Sequence, residues 1–201
     1  MQRDSIRQAW DAVADDYARS RNPDGEDAAL VDELLADLPP DPTVLDVGCG
    51  DGKRTLANLG DARAVGLDFS RRQTRLARRN VPGAHPVQGD MLAVPLGSET
   101  VDAITAYHAV FHVPRDRHPA VYREFARVLR PGGRVLMTVG TGAYQTVRSD
   151  WLGSGRSMFF STPGRERTLE QLREAGFELV WDRHVDDPLG SSAYFVLVEL
   201  A

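Results

Sequence analysis

The residues with the clearest chemical potential lie between Asp46 and Gly52, where the apolar run Thr43-Val44-Leu45 meets an acid and then, after Val47, three glycines at alternate positions: Gly48, Gly50 and Gly52. Glycine accepts positive φ and has no Cβ, so such a loop lets backbone N–H groups approach a ligand closely at the mouth of the helix expected to follow. The pattern reads as a cradle for a nucleotide-type cofactor. Its spacing argues against two common occupants. A dinucleotide fingerprint needs glycine where Lys53 stands, and a phosphate-cradling P-loop needs glycine at Val47 and Ser or Thr at Arg54.

Asp46 bears on the choice that remains. An acid directly before the glycines repels a pyrophosphate and attracts a cation. S-adenosylmethionine, which carries ammonium and sulfonium charges and no phosphate, suits that field. A second acid supports it: Ala62 to Leu67 is a small and apolar run ending in Asp68. An acid about twenty residues past the first strand, at the carboxyl edge of an open parallel sheet, is the usual partner of ribose hydroxyls. Asp68 is therefore the expected ribose ligand; the alternative is an N-cap for the helix starting near Ser70.

Acceptor chemistry is expected just after the run Val101 to Ala106, in Tyr107-His108-Ala109-Val110-Phe111-His112. His108 and His112, four residues apart, are the candidate general bases, an effect typically worth about 10² to 10⁴ in rate. The alternative is that His112 packs or caps while His108 only lines the pocket. No third ligand with clear spacing accompanies them, so no metal site is expected. Farther on, Thr141 to Pro163 carries Tyr144, Trp151, Met158, Phe159 and Phe160. Long excursions at the ligand edge of a sheet are commonly lids. Tyr144, Trp151, Met158 and Phe159 are the candidate substrate-binding residues of an apolar cap, or else the private core that holds the cap on.

Positioning these residues requires alternating strands and helices. Helices are expected over residues 4–20 and 26–38, the second stopped by Pro39-Pro40-Asp41-Pro42. Strands are expected near 43–47, 63–68, 84–88, 101–106, 133–140, 177–184 and 192–200, with mostly helical segments between them. Val121, Phe125, Val128 and Leu129 form a helical stripe ended by Pro131-Gly132-Gly133, and Leu169, Leu172 and Ala175 form another that ends at Gly176. This alternation predicts an α/β fold, a doubly wound, mostly parallel seven-stranded sheet with helices on both faces. Asp186 to Gly190 is too short for a helical crossover, so the last two strands should be antiparallel.

Four blocks in order, Val44-Leu45-Asp46-Val47-Gly48-Cys49-Gly50-Asp51-Gly52, Val65-Gly66-Leu67-Asp68-Phe69-Ser70, Gly89-Asp90-Met91 and Glu124 to Gly133, make the stretch from Thr43 to Gly140 resemble the class I S-adenosylmethionine-dependent methyltransferases, in particular the small-molecule branch of type 11 or type 25. The resemblance implies a Rossmann-like sheet with its last strand antiparallel. It implies that Asp46, Gly48 and Gly50 line the methionine moiety, with Cys49 in the same loop. Asp68 would hold the ribose diol and Phe69 would lie along the adenine. Asp90 would accept from the adenine amino group, Met91 would add an apolar wall, and Tyr107 would adjoin the donor. Tyr17 resembles a tyrosine that closes over the cofactor carboxylate, or alternatively anchors the first helix. The implied activity is methyl transfer to an oxygen, nitrogen or carbon nucleophile of a small molecule, leaving S-adenosylhomocysteine.

With 201 residues, 42% hydrophobic and 26% charged, the chain suits one domain without a separate substrate domain. Residues 1–40 would close over the cofactor, 43–140 form its core, 141–163 cap the substrate, and 164–201 supply the last helix and strand pair. No apolar run suggests secretion or a membrane span, and a lone cysteine, Cys49, forms no internal disulfide, so a cytoplasmic location is expected. The net charge of -5 disfavours a nucleic-acid partner. Arg71, Arg75, Arg78 and Arg79, on one face of a helix, are expected to be a solvated surface. A monomer or homodimer is expected. The rival readings are a nicotinamide-linked reductase, a non-catalytic cofactor-binding module, and an RNA methyltransferase that uses the arginine-rich helix.

Overall fold

The computed structural model describes residues 3–20, 28–185 and 193–201. The expected start of the second helix at residue 26, the link 186–190 and residue 192 lie outside the described residues. Among the described residues the α-helices are α1 (Arg3–Ser20), α2 (Ala28–Ala36), α3 (Arg71–Asn80), α4 (His118–Val128) and α5 (Arg165–Glu174). The strands are β1 (Thr43–Val47), β2 (Arg63–Asp68), β3 (His85–Gln88), β4 (Val101–Ala106), β5 (Leu129–Val139), β6 (Ala143–Arg148), β7 (Met158–Pro163), β8 (Phe177–Val185) and β9 (Ala193–Leu200).

Seven strands form one sheet in the order β3-β2-β1-β4-β5-β9-β8. All run parallel except β9, which is antiparallel to both β5 and β8. Because β1 lies between β2 and β4, the chain winds outward in two directions from this point. The carboxyl ends of β1, β2 and β4 therefore flank a crevice, the place where open α/β sheets bind ligands. In register, Asp46 stands beside Gly66 and Thr105.

Helices cover both faces, as expected. On one face Val121, Phe125 and Val128 of α4 and Leu172 of α5 bury against Leu45, Val47, Ile104 and Val135. On the other, Leu30, Val31 and Leu34 of α2 and Ala77 of α3 pack with Val44, Leu56, Ala103 and Phe195. A third cluster lies apart from the sheet: Ile6, Ala9, Trp10 and Val13 of α1 against Met158, Phe159 and Phe160 of β7. No helix among the described residues is long and apolar enough to cross a membrane.

Four differences from the expected elements stand out. No α-helix follows the glycine loop; residues 48–62 make turns and one 3₁₀ turn, Leu56–Asn58. Nor does a helix join β3 to β4. Segment 141–163 is an antiparallel hairpin, β6 with β7, which pairs Tyr144 with Thr162 and Val147 with Phe159. Its strand signal was masked by polar residues: β6 is wholly exposed and shows no apolar alternation. The fifth strand begins at Leu129, four residues earlier than expected, with Val128 the last residue of α4.

Candidate functional site

The crevice holds a cavity of about 560 Å³, including its open mouth, floored by Val47, Gly48, Gly50, Leu67 and Asp68. Gly48 has φ 72°, and a Cβ there would sit 2.4 Å from the Cβ of Ala109. Only glycine fits. Its N–H and that of Cys49 both donate to the Leu67 carbonyl, at 2.7 and 3.1 Å, which ties the loop to the end of β2. Gly50, at φ 54°, has no atom nearer its absent Cβ than Gln73 Oε1 at 4.0 Å, so the backbone is bare on the cavity side.

Asp68 lies across from this loop. Its carboxylate accepts from Ser70 N–H at 2.8 Å and from Gly50 N–H at 3.0 Å. A carboxylate has about four acceptor positions, so two remain for hydroxyl donors. Burial pushes its pKa up to about 6, with the Ser70 and Gly50 N–H groups pulling the other way. It is thus largely ionised at neutral pH and puts negative charge in the cavity. The N-cap alternative does not describe it: Ser70 is the cap of α3, its hydroxyl accepting from Gln73 N–H.

Six expected cofactor or substrate positions are corrected. Asp46 lies beneath the loop, 1% exposed, with its oxygens accepting from the hydroxyls of Thr55 and Thr105. It does not line the cavity, because the loop turns over it, yet its charge is close below. Burial raises its pKa to about 6. Cys49 points away too, with Sγ 2.9 Å from where a Cβ on Gly66 would be, and burial drives its thiol pKa well up. Met158 and Phe159 are buried under α1, and Tyr144 and Trp151 lie on the hairpin away from the cavity wall, Trp151 against Phe160. Met158, Phe159 and Trp151 thus belong to the private core under α1, whereas Tyr144 faces solvent. The hairpin reaches the site through its backbone instead.

That backbone contact is to His112, whose Nδ1 lies 2.8 Å from the Phe159 carbonyl. A carbonyl only accepts, so Nδ1 carries the proton and Nε2 is the basic nitrogen. Burial lowers the His112 pKa to about 4, and Trp10 and Phe160 stand edge-on or tilted against its ring at 5.1 and 5.0 Å. His108 lines the same wall in a left-handed conformation, φ 52°, fixed by its N–H donating to Thr138 Oγ1 at 2.7 Å. Such a backbone outlier persists only where its surroundings enforce it. Tyr17, Tyr107, Phe69 and Met91 also line the cavity, with Tyr17 edge-on to Trp10 at 4.9 Å. Asp90 lies at the outer edge and is held by Arg3. Among the described residues no three His, Cys, Asp or Glu side chains are gathered to hold a metal ion.

A family model described as a methyltransferase domain matches residues 44–133. The chain is 31% identical over 146 residues to an O-methyltransferase, cnsE, of Penicillium expansum, covering 68% of this chain and 52% of that protein. It is 30% identical over 188 residues to sterol methyltransferase-like 2 of Botryococcus braunii, covering 86% and 48%. The chain belongs to the class I S-adenosylmethionine-dependent methyltransferases. It spans about half the length of these relatives. The fold agrees with the crystal structure of Burkholderia thailandensis 1,6-didemethyltoxoflavin-N1-methyltransferase, which contains 1,6-didemethyltoxoflavin and S-adenosylhomocysteine; the TM-score is 0.74 at 21% identity, covering 98% of this chain and 88% of that one.

The cavity has lining residues that sequence reading missed. Gln73, 1% exposed, lines the cavity, and neither its amide nitrogen nor its oxygen has a partner among the protein atoms. A buried, unsatisfied carboxamide is costly unless a ligand completes it. The sequence held a signal: Gln73 lies four residues before Ala77, on the packed face of a helix otherwise lined outward with arginines. Trp10, whose Nε1–H is also unpartnered, lines the cavity from α1. Asp11 fastens that helix down, accepting from Ser70 Oγ at 2.7 Å and Arg72 N–H at 3.0 Å, while Asp15 pairs with Arg72.

Proposed function

We propose that the chain binds S-adenosylmethionine in this cavity and transfers its methyl group to a small, apolar acceptor. One observation carries the reading: a largely ionised, buried Asp68 with spare acceptor positions faces the bare Gly50 backbone and the unpartnered Gln73 amide. When bound, the cofactor supplies an electrophilic methyl on a positively charged sulfur. Asp68 holds the ribose diol, the Gly48–Gly50 loop cradles the methionine portion, and Asp46 and Asp68 together favour its cationic groups. Phe69 and Met91 flank the purine, with Asp90 beside it. Tyr17 and Tyr107 close over the donor.

The protein's main contribution is alignment, which in well-oriented systems supplies about 7 to 11 kcal/mol. The acceptor lies against Trp10, His108 and His112. Burial has made His112 a weak base, so it acts as a neutral hydrogen-bond acceptor through Nε2, oriented by the Phe159 carbonyl. A proton that must leave the acceptor goes to His108. On this reading residues 1–40 are a lid, 43–140 the cofactor core, and 141–163 a brace for the lid and for His112. The protein works in the cytoplasm, as monomer or homodimer.

Titration calorimetry with S-adenosylhomocysteine tests this. The parent should bind and Asp68→Ala should not; equal dissociation constants for the two would remove the site. Thermal stabilisation by NADPH in place of S-adenosylhomocysteine would establish the reductase instead.

A further inference from the structure

Arg3, the first described residue of α1, makes four contacts at the purine end of the site. Its Nε donates to Asp90 Oδ2 at 3.1 Å and its Nη2 to Asp90 Oδ1 at 2.6 Å, a two-pronged pair. Its Nη1 donates to the His112 carbonyl at 2.8 Å. Its guanidinium carbon stands 4.9 Å from the centre of the Phe69 ring. The contacts join residues 87 and 109 positions apart, so they depend on α1 being closed over the crevice.

A second cavity of about 550 Å³ lies outside the first, lined by Arg3, Asp4, Arg7, Phe69, Gln88, Gly89 and Asp90. Arg3, Phe69 and Gly89 border both cavities, whereas Asp90 borders only the outer one. Arg3 therefore shares the wall between the two chambers with Phe69 and Gly89, and of the three it is the one that holds the Asp90 carboxylate. On the cofactor reading above, the base lies along Phe69, which lines the inner cavity, with Asp90 beside it across the shared wall. A flat ring with a donor edge needs what the guanidinium already has: an aromatic face and a carboxylate.

We propose that Arg3 is a gate residue, its planar cation occupying the place of the purine on Phe69 and Asp90, so that the cofactor's base and the Arg3 contacts exclude one another. This rests on the cofactor reading above. Entry of the purine swings Arg3 out of the partition, merges the two chambers and releases the His112 carbonyl. Arg3 thus couples occupancy of the base subsite to the wall that faces the acceptor.

The test compares parent and Arg3→Gln by calorimetry with two probes, S-adenosylhomocysteine and S-ribosylhomocysteine, which lacks the base. Removing the competing cation should tighten S-adenosylhomocysteine about three- to tenfold, the scale of a partly exposed ion pair with a ring contact, and leave S-ribosylhomocysteine unchanged. Weaker or unchanged S-adenosylhomocysteine binding overturns the proposal, since Arg3 would then clamp the base or play no part. Equal tightening of both probes also overturns it, because the cause would be a general loosening of α1. If neither parent nor variant binds either probe, the cofactor reading itself fails. Should circular dichroism show Arg3→Gln unfolded, Arg3→Lys serves: it keeps the charge and loses the fork and the flat face, and should show a smaller tightening of S-adenosylhomocysteine alone.

Discussion

Gly48 and Gly50 look equivalent in sequence and are not. A methyl on Gly48 collides with Ala109, at 2.4 Å, on top of a positive φ. Gly48→Ala should therefore cost about 2 kcal/mol or more, since loop and wall must move apart. A methyl on Gly50 meets open cavity, so Gly50→Ala should cost only about 1 kcal/mol for its left-handed backbone. It should nevertheless weaken S-adenosylhomocysteine binding, because the methyl stands where the ligand approaches. Urea unfolding of both variants checks the order; equal losses would mean the Ala109 contact does not constrain the loop. Gln73 belongs at this scale too: its amide is satisfied by nothing in the protein, so the site's binding energy includes relief of that deficit.

Among the elements, α1 decides whether the acceptor wall exists. It supplies Arg3, Trp10 and Tyr17 to the cavity and rests on β7 through Ile6, Trp10 and Val13. Asp11 fastens it to the start of α3. Asp11→Ala should speed amide exchange along α1 about tenfold while β1 and β4 keep their protection. Unchanged exchange in α1 would show that the apolar contact with the hairpin suffices alone. Much of this architecture could be read from the chain. Thr43–Val47, Arg63–Asp68 and Val101–Ala106 are short, mostly apolar and largely buried runs, and the acids Asp46, next to the end of the first, and Asp68, at the end of the second, mark the ligand edge. The hairpin could not be read, because β6 faces solvent throughout and offers no alternation. The missing helices after β1 and β3 were equally hidden, since turns that pack on a sheet carry the same apolar residues as a short helix. Arg3 was illegible for another reason: its role depends on partners 66, 87 and 109 positions away, Phe69, Asp90 and His112.

For the molecule as a whole, buried ionisable groups couple stability to pH in opposing senses. Asp46 and Asp68 have raised pKa values of about 6, so the stability they contribute is complete below about pH 4 and is lost as pH climbs through 6. His112, lowered to about 4, and His118, lowered by burial, work the other way: their contribution is full above about pH 6.5 and is lost as pH falls. The terms oppose each other over one window, so a difference between variants is more telling than the parent's profile. Asp46→Asn keeps an acceptor for one of the Thr55 and Thr105 hydroxyls, lets the other accept from its Nδ2–H, and removes the buried charge. It should gain on the parent by roughly 2 to 3 kcal/mol between pH 4 and pH 7.5, visible as a widening gap in melting temperature; a constant gap would show that Asp46 does not titrate in this range. Finally, the single thiol of the chain is sealed under the glycine loop and held protonated by burial. A maleimide or disulfide reagent can reach it only when the loop lifts, so the rate of labelling at Cys49 is a clock for the breathing of the cradle, and ligand should slow that clock.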